Sequence, residues 1–186
     1  MKTLHWTSHD LELLPDDKRY EIVSGELYVS KQPHLHHQIV CGKVLTFLEI
    51  WSDQAQTGLP IVTPGVIFAD DDDVVPDVVW ISYERLATAL QSDGKLHTSP
   101  ELVIEVLSPG SENARRDREV KLKLYSRRGA DEYWIINWQE RRVEVYRHYE
   151  GKLTLEKTLN ETETLESPLL LGFSLKVGLL FKSLLK

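Results

Sequence analysis

Two acids stand where the surrounding sequence is apolar. Glu105 interrupts the run ELVIEVLSP (residues 101–109), and Asp77 interrupts VVPDVVWIS (residues 74–82). Both runs read as strands buried on both faces. An isolated carboxylate taken out of water costs several kcal/mol, so each must meet a partner. Alternate residues of a strand share a face, which puts Glu105 with Val103 and Leu107, and Asp77 with Val75, Val79 and Ile81. If the two strands pair, two like charges meet on one face. Two close carboxylates stay ionised in a dry site only with a cation between them. A hard divalent ion with oxygen ligands meets that need, and magnesium is the usual choice with one or two carboxylates.

A third chemical group comes from the helix expected over residues 111–128. Its apolar arc holds Ala114, Val120, Leu124 and Tyr125, with Asp117 and Lys121 in the middle. That arc should face the sheet, so Lys121 can reach Glu105. Arg116, Lys123 and Arg127 fall on the opposite side, where solvent is expected. Glu21 and Glu26 flank a turn at Ser24-Gly25, and either could add a ligand or a structural pair. The competing reading is a buried ion-pair network, Asp77 or Glu105 with Lys121 or Arg128, without metal or chemistry. One lysine against two acids leaves a negative charge uncancelled, which weighs against it.

The elements that must position these groups follow from periodicity and turn chemistry. Ser8 caps a short helix through Leu14, and RYEIVSGELYVS forms a hairpin. Residues 35–52 carry Leu35, Ile39, Val40, Val44, Leu48 and Trp51 at helical spacing, and Gly58-Leu59-Pro60 breaks the pattern. IVTPGVIFA and VVPDVVWIS are the next two strands, with Asp70 to Asp73 as an exposed turn between them. YERLATALQ forms a short helix before the strand of Glu105. Ser111 or Asn113 caps the helix of Lys121, and Gly129 ends it. EYWIINW and RRVEVYRHY form a hairpin, KLTLEKTL adds an edge strand, and a short amphipathic helix closes the chain. Leu102 to Trp138 then reads as strand, crossover helix, strand. The fold class is α/β, with a mixed central sheet flanked by helices and hairpin strands added near both ends.

Composition narrows the function. A chain of 186 residues with 41% hydrophobic and 27% charged content fits one globular domain, taken as residues 1–186. No stretch is apolar enough to span a bilayer, and MKTLHWTSHDLELLPDD has no apolar signal core, so a cytoplasmic protein is expected. The single Cys41 excludes an internal disulfide and a cysteine-based zinc cluster, and its apolar neighbours suit a buried structural thiol. The net charge of -7 argues against tight, non-specific grip on duplex DNA. Arg115, Arg116, Arg118, Lys123, Arg127 and Arg128 crowd one helix, yet they do not form one stripe.

The ordered set YEIVSGELYVS, PHLHHQIV, VVPDVVWI, ELVIEVLSPGSENARRDREVKLKLY, GADEYWIINW and LLLGFSLKVGLLF resembles the Uma-two family of restriction-endonuclease-like proteins. The pair formed by Pro76-Asp77 and Glu105-Val106-Leu107 resembles the wider PD-(D/E)XK nuclease superfamily. The resemblance implies a restriction-endonuclease-like core and a magnesium-dependent phosphodiesterase site, with manganese as a substitute and DNA as substrate. It implies that Asp77 and Glu105 hold the metal, with the Val106 carbonyl as a further ligand. The superfamily lysine belongs two residues after Glu105, where this chain has Leu107. The family is similar in placing its lysine on the next helix, here as Asp117, Lys121 and Tyr125. Asp117 would then position Lys121 through an i, i+4 pair, and Glu21 or Glu26 would complete the site. His37 matches a recurring family histidine; as a residue at a helix start, it is expected to contact backbone. A symmetric homodimer could set two sites across a duplex. The alternative is a nuclease fold that has lost cleavage and serves as a binding module.

Overall fold

The structure is a computed structural model that describes residues 4–15, 17–182 and 184. Met1 to Thr3, and the Ser183 and Leu185 of the expected closing helix, lie outside the described residues. The chain begins with α1 (Ser8–Leu11), shorter than the span to Leu14 that its cap suggested. Strands β1 (Arg19–Val23) and β2 (Glu26–Ser30) pair antiparallel. Their two-residue turn has positive φ at both Ser24 and Gly25, the twist a tight hairpin requires.

Helix α2 (Leu35–Ala55) outruns the expected boundary, because Gln56 and not a glycine takes the left-handed C-cap. Gly58-Leu59-Pro60 does not merely break that helix. It opens β3 (Gly58–Val62), an edge strand where a proline costs no ladder bond. IVTPGVIFA is therefore two strands in two sheets, divided at Thr63 with its positive φ, and β4 (Val66–Ala69) follows. Asp70 and Asp71 make the turn that was expected, but Asp72 and Asp73 are buried in β5 (Asp72–Val74). Asp72 accepts from the Ser24 N–H and pairs with Arg128, while Asp73 lies 3.5 Å from Lys95. Arg128 thus serves Asp72, not Asp77 or Glu105.

Next come β6 (Val78–Ser82), α3 (Tyr83–Ala89) and β7 (Leu102–Val106). The crossover helix is not uniform. It runs as α4 (Ser111–Arg115), a π-helical stretch (Arg116–Lys121) and α5 (Leu122–Arg128). Its N-cap is Gly110, not Ser111 or Asn113, and Gly129 ends it in the left-handed region as expected. Strands β8 (Glu132–Asn137), β9 (Arg142–Tyr149) and β10 (Lys152–Asn160) follow, then the hairpin β11 (Thr164–Glu166) and β12 (Ser174–Lys176), and α6 (Gly178–Phe181).

The central sheet has six strands in the order β10-β9-β8-β7-β6-β3, and only β7 and β8 run parallel. A second, four-stranded sheet runs β2-β1-β5-β4. Strand parity sorts the core into two layers. Leu102, Ile104 and Val106 of β7, with Trp134 and Ile136 of β8, face Val40, Val44 and Leu48 of α2. Val103 and Leu107, with Tyr133 and Ile135, face Leu124 and Tyr125 of α5 and Val23 and Val74 of the smaller sheet. Glu105 belongs to this second layer by its parity, and so the acid is turned towards α5 and β1.

Candidate active site

The register of β6 against β7 pairs Val78 with Ile104 and Val79 with Val103. Extended by one step, it sets Asp77 beside Glu105. Asp77 lies immediately before β6, and its Oδ2 accepts from the Val106 N–H at 2.9 Å across the strand pair. Val106 thus offers Asp77 its amide. Lys121 comes down from the crossover helix onto the same face. Its Nζ lies 2.8 Å from Glu105 Oε1 and 2.8 Å from Glu21 Oε1. Tyr125, one turn further, donates to the same Glu105 oxygen at 2.9 Å. Glu21 is fixed in turn, since its Oε1 also accepts from the Val75 N–H at 2.9 Å. Lys121 and Glu21 are each only 1% exposed.

Glu26 is not drawn in. It is exposed on β2 and accepts from the Tyr28 hydroxyl at 2.8 Å. Alternation on the hairpin explains the split. Glu21 is buried in the middle of β1, whereas Glu26 is the exposed first residue of β2. Arg116, expected in solvent, lines the site. Its guanidinium lies 3.5 Å from Asp117 and 4.0 Å from Glu21. The π-helical turn is the reason: its wider winding brings residues to the inner face that an unbroken α-helix would leave outside. Asp117 is buried and pairs with Arg116, not with Lys121 one turn on.

Sequence reasoning missed one group, Arg19, and gave a second, His37, the wrong contact. Arg19 of β1 stands 3.6 Å from Asp77 Oδ1. His37, the third residue of α2, is buried, and its Nε2 lies 3.1 Å from Asp77 Oδ2. It contacts a carboxylate, not backbone. A histidine in the first turn of a long helix aimed at the sheet was the available signal.

Together these side chains wall a cleft of about 290 Å³. Its buried acids are Glu21, Asp77, Glu105 and Asp117, its buried or half-buried cations are Arg19, Arg116 and Lys121, and exposed Asp17, Lys18 and Lys31 stand at its rim. Among these buried and half-buried side chains the acids outnumber lysine and arginine by four to three. The ionisations reflect that excess. Burial, joined by Asp77, Asp117 and Glu21, pushes Glu105 up to about 8 in spite of Lys121. Burial also raises Asp117. Burial works on Asp77 in the same direction, but the His37 bond, the Val106 N–H and Arg19 outweigh it and hold Asp77 at about 2. Glu21 is lowered against burial by Lys121, Arg19 and Arg116. Lys121 is raised against burial by Glu105, Glu21 and Asp117, so it remains an ammonium.

The donor set fits a hard divalent cation. Glu105 spends Oε1 on Lys121 and Tyr125, and among the described residues its Oε2 takes no hydrogen bond. Asp77 spends Oδ2 on His37 and Val106, which leaves Oδ1 with only the Arg19 guanidinium at 3.6 Å. Each acid keeps one carboxylate oxygen in hand, and buried acids outnumber the cations beside them. Oxygen ligands with surplus negative charge are what magnesium and manganese take.

The fold has a solved counterpart. A crystal structure of a "putative nuclease belonging to DUF820 from Anabaena variabilis ATCC 29413" superposes with a TM-score of 0.74 at 17% identity, covering 95% of this chain and 97% of that one. The type IIG restriction endonuclease BpuSI aligns with a TM-score of 0.46 at 12% identity, over 80% of this chain and 15% of its own. No curated protein matches the sequence. The family model Uma2, described as "Putative restriction endonuclease", matches residues 7–178. That span takes in every side chain of the cleft, and the chain belongs to the Uma2 family.

Proposed function

We propose that the protein is a divalent-metal-dependent endonuclease that hydrolyses phosphodiester bonds of DNA at this cleft. The observation that carries the reading is the shared geometry of Asp77, Glu105 and Lys121, with buried acids in excess and a spare oxygen on each of the two acids. Asp77 and Glu105 would hold the ion, magnesium or manganese. When bound, it supplies Lewis acidity, lowering the pKa of a coordinated water and polarising a phosphoryl oxygen.

The remaining work falls to the chain itself. Lys121 stays protonated, so it acts as a hydrogen-bond donor and fixed charge, not as a base. Aimed at a phosphoryl oxygen, it opposes the negative charge that grows as water adds to phosphorus and the leaving oxygen departs. Glu21 and Glu105 hold the ammonium from two sides, so its position needs no reorganisation during the reaction. Asp117 and Arg116 pair beside it and close the wall. Exposed Lys18 and Lys31 lie on the same cleft and suit a polyanion entering it. Local charge at the mouth steers a substrate even when the net charge is -7.

Incubation of supercoiled plasmid with purified protein and magnesium or manganese tests the reading. Cleavage is expected, and Asp77→Ala, Glu105→Ala and Lys121→Ala should each abolish it. Cleavage that survives Glu105→Ala would remove the site. Clean manganese binding without cleavage of any DNA would favour a binding module on a nuclease fold.

A further inference from the structure

His37, Cys41 and Asp77 form the one group of three or more potential metal-ligating His, Cys, Asp or Glu side chains found among the described residues, with ligand atoms within 4.8 Å of one another. All three are buried. A soft-metal chelate is the first thought, and the geometry speaks against it. Cys41 Sγ lies 3.5 Å from His37 Nδ1, whereas Asp77 Oδ2 lies 3.1 Å from Nε2. The two neighbours sit against opposite nitrogens of one ring, and a single ion cannot take both. The groups are strung in line, thiol to imidazole to carboxylate.

A thiol–imidazole–carboxylate line also resembles the arrangement of an activated nucleophile. Access excludes that role. Cys41 is 4% exposed and is absent from the cleft wall, which only His37 and Asp77 reach. Burial, with Asp77 and Glu105 adding to it, keeps the thiol protonated. A Cys41 S–H donated to Nδ1 would put the imidazole proton on Nε2, where it faces Asp77 Oδ2.

We infer that His37 is a positioning residue for Asp77, locked in the Nε2–H tautomer by the Cys41 thiol, and that it presents Asp77 Oδ1 to the divalent ion. The inference rests on the metal-site reading above. His37 and the Val106 N–H both bind Oδ2, which fixes the plane of the carboxylate and leaves Oδ1 as the oxygen free to coordinate. The i, i+4 spacing of His37 and Cys41 on α2 puts both side chains on the helix face that meets the sheet. Partners that orient a metal ligand typically contribute 10–100-fold to affinity.

Calorimetric titration of Mn²⁺ into the purified protein, free of substrate, is the test. Asp77→Ala serves as the reference for a lost ligand. His37→Ala should weaken Mn²⁺ binding about 10–100-fold. His37→Gln, whose amide N–H can reach Oδ2, should restore most of it, while His37→Asn, too short, should not. Cys41→Ala should give a smaller loss than His37→Ala. Far-UV circular dichroism and thermal melts accompany each variant. If Asp77→Ala loses Mn²⁺ while folded His37→Gln and His37→Asn both bind like wild type, the histidine is only packing and the inference fails alone. If Asp77→Ala itself binds Mn²⁺ unchanged, the metal reading fails and the inference with it.

Discussion

At the scale of single residues, Glu105 is the side chain whose environment is least at peace with it. Its carboxyl is pushed from 4.5 to about 8 in the folded chain, chiefly by burial. A carboxyl raised in this way binds its proton more tightly when folded than when unfolded. It therefore removes stability as pH rises from its ordinary value, and the loss levels off above the raised one. Without metal, Glu105→Gln should melt higher than wild type, and the gap should widen from pH 5 to pH 8 and then hold. A gap that shrinks over that range would contradict the burial. Asp77 has the opposite sign: held at about 2, it contributes stability above its ordinary range that is lost only in strong acid. Asp77, Glu105 and Lys121 were legible because each is a polar residue in an apolar pattern. That signal is not unique to a site. Glu101, Glu132 and Glu144 are also buried in or beside strands, and each is met by an arginine: Arg85, Arg147 and Arg118. What separates Glu105 from these is a long-range balance of charges, and no local window of sequence contains it. Arg19 and the contact of His37 were missed for the same reason, since the carboxylate they serve is far along the chain.

At the scale of elements, the crossover helix determines which groups enter the cleft. Element types were mostly readable, because strand alternation and the apolar stripe of α2 survive packing. The π-helical turn was not. An extra residue per turn leaves no mark in a 100° projection, and it moved Arg116 from the solvent face to the wall of the site. The turn can be removed. Glu119 is exposed within it, and deletion of that residue should let the helix close into regular α geometry. Arg116 would keep nearly the same phase relative to Lys121, because four α steps of about 100° cover about the same rotation as five wider-wound ones. Cleavage and Mn²⁺ binding should therefore stay within about tenfold of wild type, with far-UV circular dichroism nearly unchanged. Loss of both in a folded deletion variant would show that the site needs the wider turn itself, and not only the phase it gives Arg116. The sheet boundary at Thr63 was equally hidden. A strand that stops and restarts in a different sheet looks continuous when only its apolar run is read.

At the scale of the whole molecule, the cleft lies where the six-stranded sheet, the four-stranded sheet and the crossover helix converge. Glu21 comes from one sheet, Glu105 from the other, Asp77 from just before β6, and Lys121 from between β7 and β8. A ligand gripped by both Asp77 and Glu105 ties the segment before β6 to the end of β7 and binds the folded state alone. Mn²⁺ at a hundredfold excess over its Kd should then stabilise the fold by about 2.7 kcal/mol. For a chain of this length that raises Tm by about 5–10 °C. The shift should vanish in Asp77→Ala. A melt indifferent to Mn²⁺ would place any ion outside the junction. No helix among the described residues is long and apolar enough to cross a membrane.

The single parallel pair at the heart of the larger sheet has a consequence for the birth of the protein. β7 must wait for β8, and β8 emerges only after the whole crossover helix has been synthesised. On the ribosome, β6 is already there to pair with β7, but the other edge of the strand that carries Glu105 stays open until Asn137 has left the exit tunnel. A truncated or stalled product ending before that point would leave one edge of β7 without its partner strand, whatever acids it already carried. The order of synthesis leaves the sheet beneath the cleft unfinished until most of the chain exists.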